Sequence, residues 1–99
     1  MMMATYSLAA IKAAVVKRGV SAFTKSAIEG AVAMGLTSTE MLDAVAGTAS
    51  THFYKTMPAD KNPGVWQDVY RVPTPAGMAY MKYTLAAGNP RIVISFKDL

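Results

Sequence analysis

The sequence predicts an α+β fold in which N-terminal helices pack on one face of a C-terminal antiparallel β-sheet. Three observations carry this. Up to Gly47 the apolar residues recur at spacings of three and four, in runs that start at a capping residue and stop at a glycine. From Val65 onward the period becomes two. The connections between the period-two segments are short and turn-forming, which suits a meander and leaves the helices to cover one side of it.

The helices follow in order. Ser7 can cap a first helix over residues 8–18, whose stripe is Leu8, Ile11 and Val15 and whose end is Gly19. Thr24 can cap a second run containing Ala27, Ile28, Ala31 and Met34, stopped by Gly35. Thr37-Ser38-Thr39-Glu40 is a capping box, with Met41, Leu42 and Val45 as the stripe behind it and an end near Gly47. Between Ala49 and Gly64 the pattern fades into a short turn at Thr51 to Lys55 and a loop marked by Pro58, Pro63 and Gly64. Three strands are then expected at Val65 to Val72, Gly77 to Leu85 and Arg91 to Lys97, joined by Pro73-Thr74-Pro75-Ala76 and Ala86-Ala87-Gly88-Asn89-Pro90.

Composition bounds the rest. A chain of 99 residues buries roughly two-thirds of its unfolded surface, enough for one core, so residues 1–99 are read as a single domain. Met1-Met2-Met3 is expected to carry no structure. There is no cysteine, hence no disulfide framework and no thiolate metal site, and no metal or cofactor is expected. The apolar stretch Leu8 to Val16 is interrupted by Lys12 and is too short to span a bilayer, so a soluble cytoplasmic protein is expected, without a membrane partner. Net charge is +4, and the excess lies in the second half, which has six basic and three acidic side chains against four and three in residues 1–49. That distribution suits a phosphate-bearing or acidic partner, although solvated lysines account for it equally well.

Alternation sorts the strand residues onto faces. In the last strand Ile92, Ile94 and Phe96 are expected to face the helices, with Arg91, Val93, Ser95 and Lys97 outward. In the middle strand Ala79, Met81, Tyr83 and Leu85 form the inner side, leaving Met78, Tyr80, Lys82 and Thr84 outside. Opposed residues of an antiparallel pair share a face, so the turn length sets Tyr80 opposite Lys97. In the first strand, Trp66 and Tyr70 inward would bring Gln67 and Arg71 to the outer face, with Gln67 opposite Tyr80 or Lys82. Such a face is what the solvated side of a half-buried sheet looks like. The convergence on it of a phenol, a carboxamide and several cations, with Lys55 in a loop that can fold across, also fits a site.

The segments Phe53-Tyr54-Lys55-Thr56-Met57, Val65-Trp66-Gln67-Asp68-Val69-Tyr70-Arg71, Tyr80-Met81-Lys82 and Ile92-Val93-Ile94-Ser95-Phe96-Lys97 resemble the motility quorum-sensing regulator (MqsR) toxin family. The Trp-Gln-Asp-Val-Tyr-Arg run is the most specific of them. The resemblance implies a RelE-like ribonuclease fold and an mRNA interferase that cuts messenger RNA without the ribosome, at GC followed by U or A. It also implies a cognate antitoxin protein as partner. Lys55, Gln67, Tyr80 and Lys97 match the family's active site and become the candidate catalytic residues; Arg71 and Lys82 are the candidate RNA-binding cations. The two turns between the last three strands and the alanine-rich first helix depart from the family's pattern, which leaves base preference and antitoxin pairing open.

RNA supplies its own nucleophile in the 2′-hydroxyl, so cleavage needs positioning, two proton movements and charge neutralisation, and no metal. The lysines suit the non-bridging oxygens, Tyr80 proton transfer or leaving-group contact, and Gln67 the orientation of a phosphate or base edge. Which group is acid and which base stays open. His52, the only histidine, lies outside the matched motifs and is expected to be a solvated turn residue; Asp68 is expected to bind a backbone or basic group. The alternative reading is a non-catalytic module that binds nucleic acid or regulates transcription through the same patch.

Overall fold

Ser7, Thr24 and Thr37 each accept a hydrogen bond from the backbone N–H three residues on, at Ala10, Ala27 and Glu40, and each starts a helix where its spacing predicts one. In the computed structural model, which describes residues 3–99, these are α1 (Leu8–Arg18), α2 (Lys25–Ala33) and α3 (Ser38–Ala46). The expectation for Met1 and Met2 lies outside the described residues. Thr37 and Glu40 close a reciprocal capping box, and Gly19 ends α1 with φ 63°, a left-handed conformation that disfavours a side chain. Gly19–Ala22 then forms a 3₁₀ turn leading to α2.

The second half is a four-stranded antiparallel sheet in the order β1-β2-β3-β4, made of β1 (Phe53–Pro58), β2 (Trp66–Thr74), β3 (Gly77–Tyr83) and β4 (Val93–Asp98). Helices followed by an antiparallel sheet are the α+β arrangement the sequence predicts. The strand β1 replaces the loop expected there. Its period is hidden because it is a half-buried edge strand, interrupted by a bulge between Phe53 and Lys55 and closed by Pro58, a residue tolerated at a sheet edge. The β2–β3 hairpin is tighter than expected: Thr74 donates to the Gly77 carbonyl at 2.6 Å and accepts from the Ala76 N–H at 3.1 Å.

The helices cover one face. Ile11 and Val15 of α1, Ala27 and Ala31 of α2, and Met41 and Val45 of α3 pack with Tyr70, Val72, Ala79, Met81, Tyr83 and Phe96 of the sheet. The helix α2 lies on β4 so closely that a Cβ at Gly30 would stand 1.8 Å from the Phe96 carbonyl oxygen. Just before it, the Thr24 N–H donates to the Val93 carbonyl and the Thr24 hydroxyl to the Ile94 carbonyl, fixing the start of α2 to the start of β4.

Alternation in β4 holds only near its end. Phe96 is buried as expected, but Val93 is fully buried while Ile94 is only half-buried, the reverse of the expectation. Tyr83 pairs with Val93 and Lys82 with Ser95, so Ile94 is an extra residue in a bulge that brings Val93 onto the covered face, while Ile92, just before the strand, is buried as expected. Arg91 precedes the strand and donates to the Ser21 carbonyl. Thr84, expected outside, is buried beyond the end of β3, where its hydroxyl donates to the Trp66 carbonyl at 2.9 Å. Trp66, expected inside with Tyr70, is 44% exposed: it is the first residue of β2 and pairs with Pro58, the last of β1.

Polar groups inside the domain are paired. The Asp68 carboxylate, fully buried, accepts from the backbone N–H groups of Thr5 and Tyr6 at 2.9 and 2.8 Å and ties the segment before α1 to the sheet. The Tyr83 hydroxyl meets that of Thr48 at 2.8 Å. The Thr48 hydroxyl also lies 2.9 Å from the Ala44 carbonyl oxygen, and the Tyr83 hydroxyl 3.6 Å from the Met81 sulfur.

Burial pushes the phenol of Tyr83 well up from the ordinary tyrosine value, against a smaller opposing effect of its hydrogen bond to Thr48, and burial followed by the nearby Asp68 raises that of Tyr70. A phenol whose folded pKa is raised contributes stability that is complete below its unfolded pKa of about 10 and is lost as pH rises above it. Equilibrium denaturation is therefore expected to show falling stability above about pH 10, and Tyr83→Phe to flatten that fall while costing about 1 kcal/mol at neutral pH for the lost hydrogen bond. Gly30→Ala, which in an exposed helix would stabilise, is expected here to cost about 2–4 kcal/mol because backbone must move; a neutral or stabilised variant would contradict the α2–β4 contact.

Candidate active site

The register turns the uncovered sheet face into rows of side chains. Arg71 pairs with Tyr80 and Tyr80 with Lys97, so these three stand side by side across β2, β3 and β4. The bulge in β1 adds Tyr54 to the end of this row. One ladder step along, Lys55, Val69, Lys82 and Ser95 form a second row, and beyond it Met57 is opposite Gln67. None of the strand residues that the register places in these rows is acidic.

Contacts bind the first row together. The guanidinium carbon of Arg71 lies 4.1 Å from the centroid of the Tyr54 ring, and the Lys55 ammonium 5.4 Å from the same centroid. Tyr54 and Tyr80 meet edge to face with centroids 6.3 Å apart, and the Lys97 ammonium stands 5.9 Å from the Tyr80 ring. Such cation–π and edge-to-face contacts are individually worth about 0.5–1.5 kcal/mol. Their larger effect is to hold the heads of long, flexible cations above the sheet. In the second row Val69 is fully buried although it faces away from the helices; its register partners are Lys55 and Lys82, whose aliphatic stems flank it while their ammonium groups reach outward.

Of the residues expected in a site, Lys55, Arg71, Tyr80 and Lys97 come together, with Lys82 in the next row. Gln67 shares the face but not the position expected for it. Val69, not Gln67, is opposite Lys82, and Arg71 is opposite Tyr80, so Gln67 sits at the level of Thr84 and about 13 Å along the strand from the Tyr80 row. It instead borders a hollow of about 440 Å³ that opens beside the second row, shared with Lys82 and Ser95, the turn residues Asp60 and Lys61, and Ser26 of α2.

Tyr54 is the residue sequence reasoning missed. It stands 43% exposed at the centre of the cluster. Its signal was present, as an aromatic beside Lys55, but only the bulge turns it onto the same face as Lys55. His52 and Asp68 lie elsewhere. His52 is not merely solvated: its Nδ1 accepts from the Ala49 N–H at 2.9 Å and holds the turn before β1, while Asp68 binds backbone groups as expected. Among the described residues no group of three or more His, Cys, Asp or Glu side chains is placed to hold a metal ion, and no helix is long and apolar enough to cross a membrane.

A face of this kind, cationic and aromatic without an acid in its rows, is chemically suited to a polyanion and offers rings on which planar groups can stack. The family model described as "Motility quorum-sensing regulator, toxin of MqsA" matches residues 3–98. The mRNA interferase toxin MqsR of Escherichia coli (strain K12) is 33% identical over 75 residues, which cover 76% of this chain and 74% of that protein.

Proposed function

The chain belongs to the motility quorum-sensing regulator toxin family, and from that premise we propose that it is the toxin of a toxin–antitoxin pair, an endoribonuclease that cuts messenger RNA on the open face of its sheet by attack of the RNA's own 2′-hydroxyl. The observation that carries the reading is the single row in which Arg71, Tyr80 and Lys97 stand opposite one another with Tyr54 at its end and the Lys55 ammonium, from the next row, against the Tyr54 ring. An mRNA substrate places its action in the cytoplasm, and the family supplies the class of its partner, an antitoxin protein.

The chemistry follows from what each group can do. The 2′-hydroxyl oxygen bonds to phosphorus as the P–O5′ bond breaks, leaving a 2′,3′-cyclic phosphate and a 5′-hydroxyl. One proton leaves the nucleophile and one reaches the departing oxygen, so a bound water or a side chain must shuttle them. Lys97 and Lys55 neutralise the charge that builds on the non-bridging oxygens, where fixed cations act most strongly. Tyr80, beside Lys97, takes part in proton transfer or holds the leaving oxygen by its hydroxyl. Arg71 and Lys82 grip the neighbouring phosphates, and Arg71 also steadies Tyr54, whose ring offers a base a stacking surface. Gln67, two ladder steps away, orients the RNA next to the reacting phosphate. No metal takes part, and cleavage at GC followed by U or A is supported by the family resemblance of the strand motifs.

Purified protein is expected to cut a long RNA at discrete sites in EDTA and without ribosomes, giving cyclic phosphate ends; RNA left intact under these conditions would sink the enzymatic reading in favour of a binding module. Tyr80→Phe should lower kcat by about 10²–10⁴ and Lys97→Met by about 10²–10³. Tyr54→Ala should act chiefly through KM, losing the about 1–3 kcal/mol of one stacked base.

A further inference from the structure

The hollow beside the second row has the size of a site for a single small group. Its volume of about 440 Å³ falls within the range of about 300–1,000 Å³ in which small-molecule sites lie. Its walls differ in kind from the cationic row. Asp60 brings a carboxylate, Lys61 and Lys82 ammonium groups and Gln67 a carboxamide, while Ile94 and Ala59 supply apolar surface. Ile94 is available there because the bulge in β4 takes it out of the helical layer.

The position relative to the row restricts the occupant. Lys82 and Ser95 are opposed across β3 and β4, one ladder step from Tyr80 and Lys97, so the hollow begins about 7 Å along the strands from the row. A phosphate on the Tyr80–Lys97 row would leave the adjacent nucleoside over Lys82 and Ser95. Single-stranded RNA presents such a base splayed out, with its edge free for hydrogen bonding. The lining then selects among bases. A carboxylate offers two acceptors side by side and suits an edge with two adjacent N–H donors; ammonium and carboxamide donors suit a carbonyl and a ring nitrogen. Guanine carries all of these, with N1–H and N2–H on one edge and O6 and N7 on another. Adenine has no carbonyl, and the pyrimidines have neither the paired donors nor N7.

We propose that this hollow takes one unstacked guanine of the RNA, adjacent to the cleaved bond, and that Asp60 is a specificity-determining residue through its carboxylate. The placement of the phosphate rests on the ribonuclease reading; the recognition of the base does not.

Two measurements test it separately. In the first, cleavage sites on a long RNA are mapped with the wild-type protein and Asp60→Ala. Preference for guanine over adenine at one position beside the cut should fall at least about tenfold, the discrimination a single bidentate pair supplies; an unchanged site profile would overturn the proposal. In the second, the intact wild-type protein is titrated with GMP, AMP, CMP and UMP while its amide NMR signals are followed. GMP should shift Asp60, Lys61 and Ser95 saturably and at least tenfold more tightly than AMP, and the effect should be lost in Asp60→Ala. Equal response to all four nucleotides, or none at these residues, would overturn it. Saturable GMP binding by a protein that cuts no RNA would keep the hollow and discard the ribonuclease reading, whereas cleavage with no nucleotide at the hollow would do the reverse.

Discussion

The approach of α2 to β4 is the constraint on which the rest of the molecule depends. Gly30 lets the helix rest against the backbone of Phe96, and Thr24 ties its first turn to Val93 and Ile94. These contacts hold an edge strand that would otherwise have pairing on one side only, and edge strands are the least constrained members of a sheet. With β4 held, its register against β3 is held, and that register sets Lys97 beside Tyr80. A helix–strand contact on the covered face thus determines the positions of charges on the uncovered one.

The uncovered face concentrates like charge, which has a cost. Two unit charges about 6 Å apart repel by about 0.7 kcal/mol in water, and more where solvent is partly excluded. Lys55, Arg71, Lys82 and Lys97 accept this repulsion with no acid in their rows. Aromatic rings offset part of it by presenting their negative faces, and the stems of the lysines gain by covering Val69. A polyanion would relieve the remainder, and this is the physical sense in which the face suits the RNA substrate proposed for it. Asp60, in the turn after β1, lines the hollow beside these rows, where the role proposed for it is selection and not charge neutralisation.

Two bulges do much of the shaping. The one in β1 turns Tyr54 into the row with Arg71, and the one in β4 moves Ile94 out of the core and into the hollow. Each adds one residue to an otherwise regular ladder, which is how sheets re-aim side chains next to sites. A strictly regular sheet of the same composition would have lacked both the central aromatic and the apolar wall of the hollow.

What the sequence determined by itself was whatever depends on neighbours along the chain. Caps at Ser7, Thr24 and Thr37, the helix stripes, and the opposition of Tyr80 and Lys97 across a connection of known length all follow from local spacing and are found as spacing predicts. The strand motifs likewise identified the family, because motif residues are legible without coordinates. Tertiary structure decided what depends on partners distant in sequence: the existence of β1, whose pairing with β2 is its stabilisation; the burial of Val93 in place of Ile94; the exposure of Trp66; and the separation of Gln67 from Tyr80. Bulges in β1 and β4, a β2–β3 hairpin tighter than expected, and pairing between segments distant along the chain changed which side chains share a neighbourhood. Alternation counts residues along one strand and is blind to such shifts in its partner.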